Sequence, residues 1–229
     1  TKTTNSIWGN KSSILVGDYL FSRCFELMVE DGSMEVLKLL SSTSSIIAQG
    51  EVLQLEHKGE IDILEETYFN IISMKTAALF AAATKVGACI KNNSKKEKDA
   101  LESYGKNLGM AFQIADDALD YYSKDIFFGK KIGKDFFEGK ITLPIIIIFQ
   151  RANSEEKKFL TEIFKKDKRN EDDFSESLAL INKYKAVQTS LKRAEYFVNV
   201  SYDALGIFED NKEKKILQNL TGFSINRSF

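Results

Sequence analysis

The sequence predicts an all-α fold, a bundle of long helices forming a single domain over residues 1–229. Three observations predict it. The 229 residues hold one proline, Pro144, and 13 glycines, so the chain has few of the obligate breaks that interrupt helices or mark the turns of a β-sandwich. Apolar residues recur at helical spacing between short polar breaks, and no run of alternating apolar and polar residues persists long enough for a sheet. With 43% hydrophobic and 28% charged residues, the composition supports a core and argues against disorder.

The elements follow in order. Ser12 or Ser13 can cap a first helix running to residue 30, and Asp31-Gly32-Ser33 ends it. A second helix is predicted over 34–54, with His57-Lys58-Gly59 as a loop. A third covers 63–90, ended by Lys91-Asn92-Asn93-Ser94, and a fourth covers 97–122. Residues 123–140 are glycine-marked and highly charged, which reads as a loop. Thr142 can cap a fifth helix with Pro144 just inside it, where a missing N–H is tolerated. From Ser154 onward the pattern gives three or four amphipathic helices with Lys/Glu-rich outer faces.

Charge and composition exclude several classes. Lys plus Arg is 32 and Asp plus Glu is 33, a net charge of -1, which argues against a general nucleic-acid binder. A single histidine excludes His-rich zinc sites. Cys24 and Cys89 are too few for a disulfide framework and point to a reducing, cytoplasmic compartment. Both are expected as small buried core groups, and Trp8 as a packing anchor. The longest apolar stretches, such as 77–83, fall far short of the ~20 residues that span a bilayer, so no stable membrane insertion is expected. The chain starts at Thr1 rather than Met, which suggests a fragment.

Two helices depart from the ordinary surface pattern. Residues 71–83 are apolar nearly all round, as expected for a helix in the middle of a bundle, yet Lys75 lies among them. A buried ammonium is costly unless paired or near water. Lys75 therefore either opens onto something negative, or snorkels to the surface or pairs with a structural carboxylate. In the fourth helix, Gln113, Asp116, Asp117 and Asp120 form one polar stripe in an otherwise apolar stretch. Three carboxylates there repel one another and lose solvation. A divalent cation is the simplest compensation, and hard oxygen donors in this number suit Mg²⁺ shared with substrate phosphates. The alternative is a solvent-facing acidic stripe paired with lysines. The same spacing recurs at Asp172, Asp173 and Glu176 in a wholly polar setting, where it reads as an exposed helix start.

Downstream, Gly129-Lys130-Lys131-Ile132-Gly133-Lys134-Asp135 leads to Glu138-Gly139-Lys140-Ile141-Thr142-Leu143-Pro144. Lysines beside glycines make a basic loop whose backbone can approach an anion. Facing an acidic metal stripe, such a loop fits a diphosphate. The bland alternative is a charged surface loop.

These two segments and 112–120, together with Lys75-Thr76, residues 4–10 and 15–20, and Gly50-Glu51-Val52-Leu53-Gln54, form an ordered set that resembles the trans-polyprenyl diphosphate synthases. The wording near the start is most like the long-chain bacterial members. The resemblance implies an antiparallel helical bundle around a deep central cavity. It also implies a prenyltransferase that joins isopentenyl diphosphate to an allylic diphosphate in isoprenoid biosynthesis, as for a quinone side chain. Asp116, Asp117 and Asp120 would hold Mg²⁺. Lys75, Lys131 and Lys140 would contact the diphosphate, with Lys75 and Lys131 in the catalytic role and Thr76 and Gln113 in support. A homodimer is implied as well. The family's first aspartate-rich motif and its following Arg pair are absent from the sequence, so the chain reads as the C-terminal two thirds of a complete synthase, inactive alone. A class-I terpene synthase and a non-catalytic helical subunit stand as alternatives.

Overall fold

The structure, a computed structural model, describes residues 4–122 and 132–225. Its described residues form helices and connecting turns in the order α1 Thr4–Asp31, α2 Met34–Glu56, α3 Glu65–Ile72, a π-helical turn Ser73–Ala77, α4 Ala78–Ile90, α5 Lys95–Leu119, α6 Lys134–Glu138, α7 Leu143–Arg151, α8 Ser154–Lys165, α9 Glu171–Lys183, α10 Ala186–Ala204, a 3₁₀ turn Leu205–Ile207 and α11 Lys212–Ile225.

Local sequence explains most boundaries. Ser33 caps α2 by accepting from the Val36 N–H at 3.3 Å. Ser94 with Glu97, Asn153 with Glu156 and Asn170 with Asp173 each close a capping box at the start of α5, α8 and α9, satisfying amide groups that the first turn leaves unpaired. Two expectations change. The first helix starts at Thr4 rather than near Ser12, and bends at Gly9, whose φ of 79° lies outside helical space. The charged segment before α7 contains the short helix α6, bounded by Gly133 and Gly139. Phe136 pins it: the ring is fully buried, 5.5 Å from Phe164 and 5.4 Å from Phe174.

The central element is α5, which packs along α4 on one side and α10 on the other. Close approach depends on a missing side chain at Gly109, where a Cβ would lie 2.7 Å from the Cα of Ala77. The main core joins α5 to α7, α8, α9 and α10. Helix α7 is its densest contribution, with Ile145, Ile146, Ile147 and Ile148 all buried. Each such side chain contributes about 1.5–3 kcal/mol relative to exposure.

Residues Glu65–Ile90 run as one helical rod of 26 residues, long and apolar enough by length and composition to cross a membrane. The sequence did not lead to that expectation, because Lys75 and the polar residues near it hide the span's length. In the fold the rod packs between α2 and α5. Further corrections concern single residues. Trp8 and Cys24 are exposed rather than packed, whereas Cys89 is buried as expected. Asp173 is not part of an exposed start: it is buried, pairs with Lys166 at 2.6 Å and accepts from the Asn170 N–H at 3.0 Å.

Candidate active site

A cavity of about 890 Å³ opens between the end of α2, the α3–π-turn segment, the last turns of α5 and the segment from α6 to Thr142. Of the residues singled out in the sequence, Lys75, Thr76, Gln113, Asp116, Asp117, Asp120 and Lys140 all line it. Lys131 lies outside the described residues.

The three aspartates sit in three different environments. Asp116 is exposed on the cavity face, and its carboxylate makes no hydrogen bond or ion pair among the described residues. Asp117 is buried, and both its oxygens are engaged: the Tyr68 hydroxyl donates to Oδ2 at 2.7 Å and Gln113 Nε2 donates to Oδ1 at 2.8 Å. Burial pushes its pKa up to about 7, against the lowering effect of those two bonds. The Tyr68 phenol is raised well above its ordinary value by burial and by the Asp117 charge. Asp120 accepts from the backbone N–H groups of Lys134, at 3.2 Å, and Asp135, at 2.9 Å. It thereby satisfies the first amides of α6 and ties that helix to the end of α5.

The cations are poised differently too. Lys75 stands in the π turn, half-buried, and its Nζ meets Glu51 at 2.9 Å and Gln54 Oε1 at 2.8 Å. So the open question about Lys75 resolves into a paired ammonium at the cavity wall. Beside it, the Thr76 hydroxyl donates to Gln113 Oε1 at 2.9 Å. Lys140 pairs with Asp135 at 2.9 Å and Glu138 at 2.7 Å. Burial opposes its charge, but these two carboxylates outweigh burial and raise its pKa.

Sequence reasoning missed Tyr68, Glu51 and Gln54 as partners. Tyr68 had one available signal, its position seven residues before Lys75 and so two turns back on the same helix face. Among the described residues, no three His, Cys, Asp or Glu side chains converge to enclose a metal. Chemically, the arrangement is a polar floor of carboxylates and ammonium groups with apolar walls from residues such as Ile63, Ile71 and Ile141. It can take a polyanion carrying its own cation, with an apolar tail attached.

A model of the polyprenyl synthetase family matches residues 1–181. Octaprenyl diphosphate synthase of Escherichia coli K12 is 34% identical over 226 residues, covering 98% of this chain and 69% of the relative. Its counterpart from Haemophilus influenzae is 31% identical, covering 99% and 69%. The crystal structure of a decaprenyl diphosphate synthase from Rhodobacter capsulatus superposes with a TM-score of 0.92 at 38% identity, over 99% of this chain and 70% of that one. A polyprenyl synthase from Caulobacter crescentus, complexed with calcium and isoprenyl diphosphate, gives 0.92 at 40% identity, over 97% and 68%. An all-α bundle, an ordered set of acidic and basic side chains in one cavity, and a match across most of the chain together make this protein a member of the polyprenyl synthetase family.

Proposed function

We propose that the protein elongates a trans-polyprenyl diphosphate by condensing isopentenyl diphosphate with an allylic diphosphate. The observation that carries this reading is the gathering of Asp116, Asp120, Lys75 and Lys140 in one cavity with apolar walls. The donor set suits Mg²⁺. Asp116 and Asp120 offer hard carboxylate oxygens, too few for an all-protein cage, which fits a cation completed by water and substrate phosphates. When bound, the cation neutralises the diphosphate and stabilises the departing pyrophosphate. Asp117, buried with both oxygens held by side chains, supports its neighbours from behind, whereas Asp120 is only half-buried and would meet the cation with the lone pairs that the α6 amides leave over.

Lys75 exchanges Glu51 for a diphosphate oxygen, and Lys140 turns from Glu138 to another, with Lys131 as a third cation in the segment outside the described residues. Their charge lowers the cost of breaking the allylic C–O bond. The isoleucine-lined wall excludes water from the resulting carbocation, so the isopentenyl double bond attacks it instead. A C–C bond forms, a proton is lost from the adduct, and the chain is five carbons longer. Apolar side chains left exposed along α1, among them Leu15, Tyr19 and Leu20, support a homodimer, since such faces are commonly covered by a second copy. The free thiols of Cys24 and Cys89 support a cytoplasmic location, and the packing of the Glu65–Ile90 rod between two helices supports a protein without stable membrane insertion.

Asp116→Ala in the full-length protein is expected to cut turnover strongly in an assay with radiolabelled isopentenyl diphosphate, at unchanged helicity by circular dichroism. Near-normal incorporation would refute the metal role.

A further inference from the structure

Tyr68 has no part in the reaction as described, yet it is 4% exposed and spends its only hydroxyl proton on a carboxylate 49 residues away. The bonds around it converge on that carboxylate from two sides. Thr76 gives its proton to Gln113 Oε1, Gln113 gives an amide proton to Asp117 Oδ1, and Tyr68 gives its proton to Asp117 Oδ2. The amide orientation of Gln113 is thus fixed from both ends, and the carboxylate of Asp117 is held at both oxygens. These bonds span three elements: Tyr68 in α3, Thr76 in the π turn, and Gln113 with Asp117 in α5.

Asp117 lies in the same turn as Asp116 and Asp120. A helix turns by about 100° per residue, so pinning Asp117 inward sets the directions in which its two neighbours leave the helix. We propose that Tyr68 is a positioning residue: by holding Asp117 against α3, it holds Asp116 and Asp120 at the angle where they meet a divalent cation and a diphosphate. The inference rests on the metal role proposed above, and it adds a residue to which that role assigns nothing.

The test is direct binding of Mn²⁺ in the presence of inorganic pyrophosphate, read as free Mn²⁺ by electron paramagnetic resonance, on the full-length protein. Tyr68→Phe removes one oxygen and keeps the ring. It is expected to weaken Mn²⁺ binding about 10-fold or more, the lower end of what loss of an outer-shell partner costs a metal site. Asp117→Asn keeps an acceptor for Tyr68, and Gln113 can turn its amide to match, so it is expected to weaken binding less than Tyr68→Phe does. Asp116→Ala is expected to abolish binding. Unchanged affinity in Tyr68→Phe, with binding lost in Asp116→Ala, overturns the inference and leaves the metal role standing. Full binding in Asp116→Ala overturns both. A larger loss in Asp117→Asn than in Tyr68→Phe makes Asp117 a direct ligand and overturns the brace. Should Tyr68→Phe fail to fold, Tyr68→Met, which also removes the hydroxyl and whose flexible side chain can refill the site, takes its place; a loss of affinity there supports the inference, and unchanged affinity overturns it.

Discussion

Asp117 carries a carboxyl whose pKa burial pushes from 3.8 up to about 7, while Tyr68 and Gln113 pull it down. Between those two values the folded protein holds a proton here that the unfolded chain has released. Stability therefore falls as pH rises from about 4 to about 7, and below that window the two states are protonated alike. In metal-free protein, Asp117→Asn is expected to flatten this slope. The check is the melting temperature of both proteins across the window; parallel curves would count against a buried, titrating Asp117. Much of the site was legible at this scale. The contrast between Asp116-Asp117 in an apolar stretch and Asp172-Asp173 in a polar one separated a cavity stripe from a helix cap. The partner of Asp117 was not legible, because a contact between residues 68 and 117 is a property of two helices side by side and leaves no local pattern. The same blindness applied to Lys75: the alternatives of pairing and snorkelling could be set out from the sequence, but its partners Glu51 and Gln54 on α2 could not be named.

Among the elements, capping chemistry was present but misread: the starts of α2, α5, α8 and α9 fall at Ser or Asn with a partner three residues on, whereas Ser12 and Ser13 lie inside α1 and Thr142 begins α7 without a side-chain cap bond. Helix α6 escaped notice because glycine and charge mask it, and what orders it comes from elsewhere: the Asp120 carboxylate and the pocket around Phe136. Packing between α5 and the π turn makes a sharper claim. A methyl group at Gly109 meets the Ala77 backbone, whereas one at Gly87 in α4 meets nothing within 4 Å. Helix propensity favours alanine by up to about 1 kcal/mol at either place, but overpacking at Gly109 costs about 1–3 kcal/mol or more. Gly87→Ala is expected to raise the melting temperature by a few degrees and Gly109→Ala to lower it, at roughly 2–4 °C per kcal/mol for a chain of this size. Equal stability of the two variants would show that the helices do not approach as closely as described.

The whole molecule presents a tight core on one side and an open face on the other. Helices α5 to α10 share one cluster of buried side chains, while α1 packs on α2 and leaves Ile14, Leu15, Tyr19 and Leu20 each more than half exposed. Sedimentation of the full-length protein is expected to give a dimer, and Leu15→Asp with Leu20→Asp to shift it toward monomer; a monomeric wild type would remove α1 as an interface between copies. The fold class was readable at this scale because a chain with one proline and helical spacing throughout has few other ways to bury its apolar residues.

The wide turn at Ser73–Ala77 joins two halves of one rod out of phase. Carried on at α-helical period, the inward row of Tyr68, Ile71 and Ile72 would arrive at Lys75 and Leu79, and Leu79 faces outward. The inward row resumes instead at Ala77, Ala81 and Ala82. Deleting a single residue from this turn would restore regular winding and leave the alanine seam on α5, whereas deleting one from the regular turns on either side would swing everything beyond it by about 100°. The rod is geared at this point: its near half is timed to the cavity, its far half to the core, and neither can be shortened without mistiming the other.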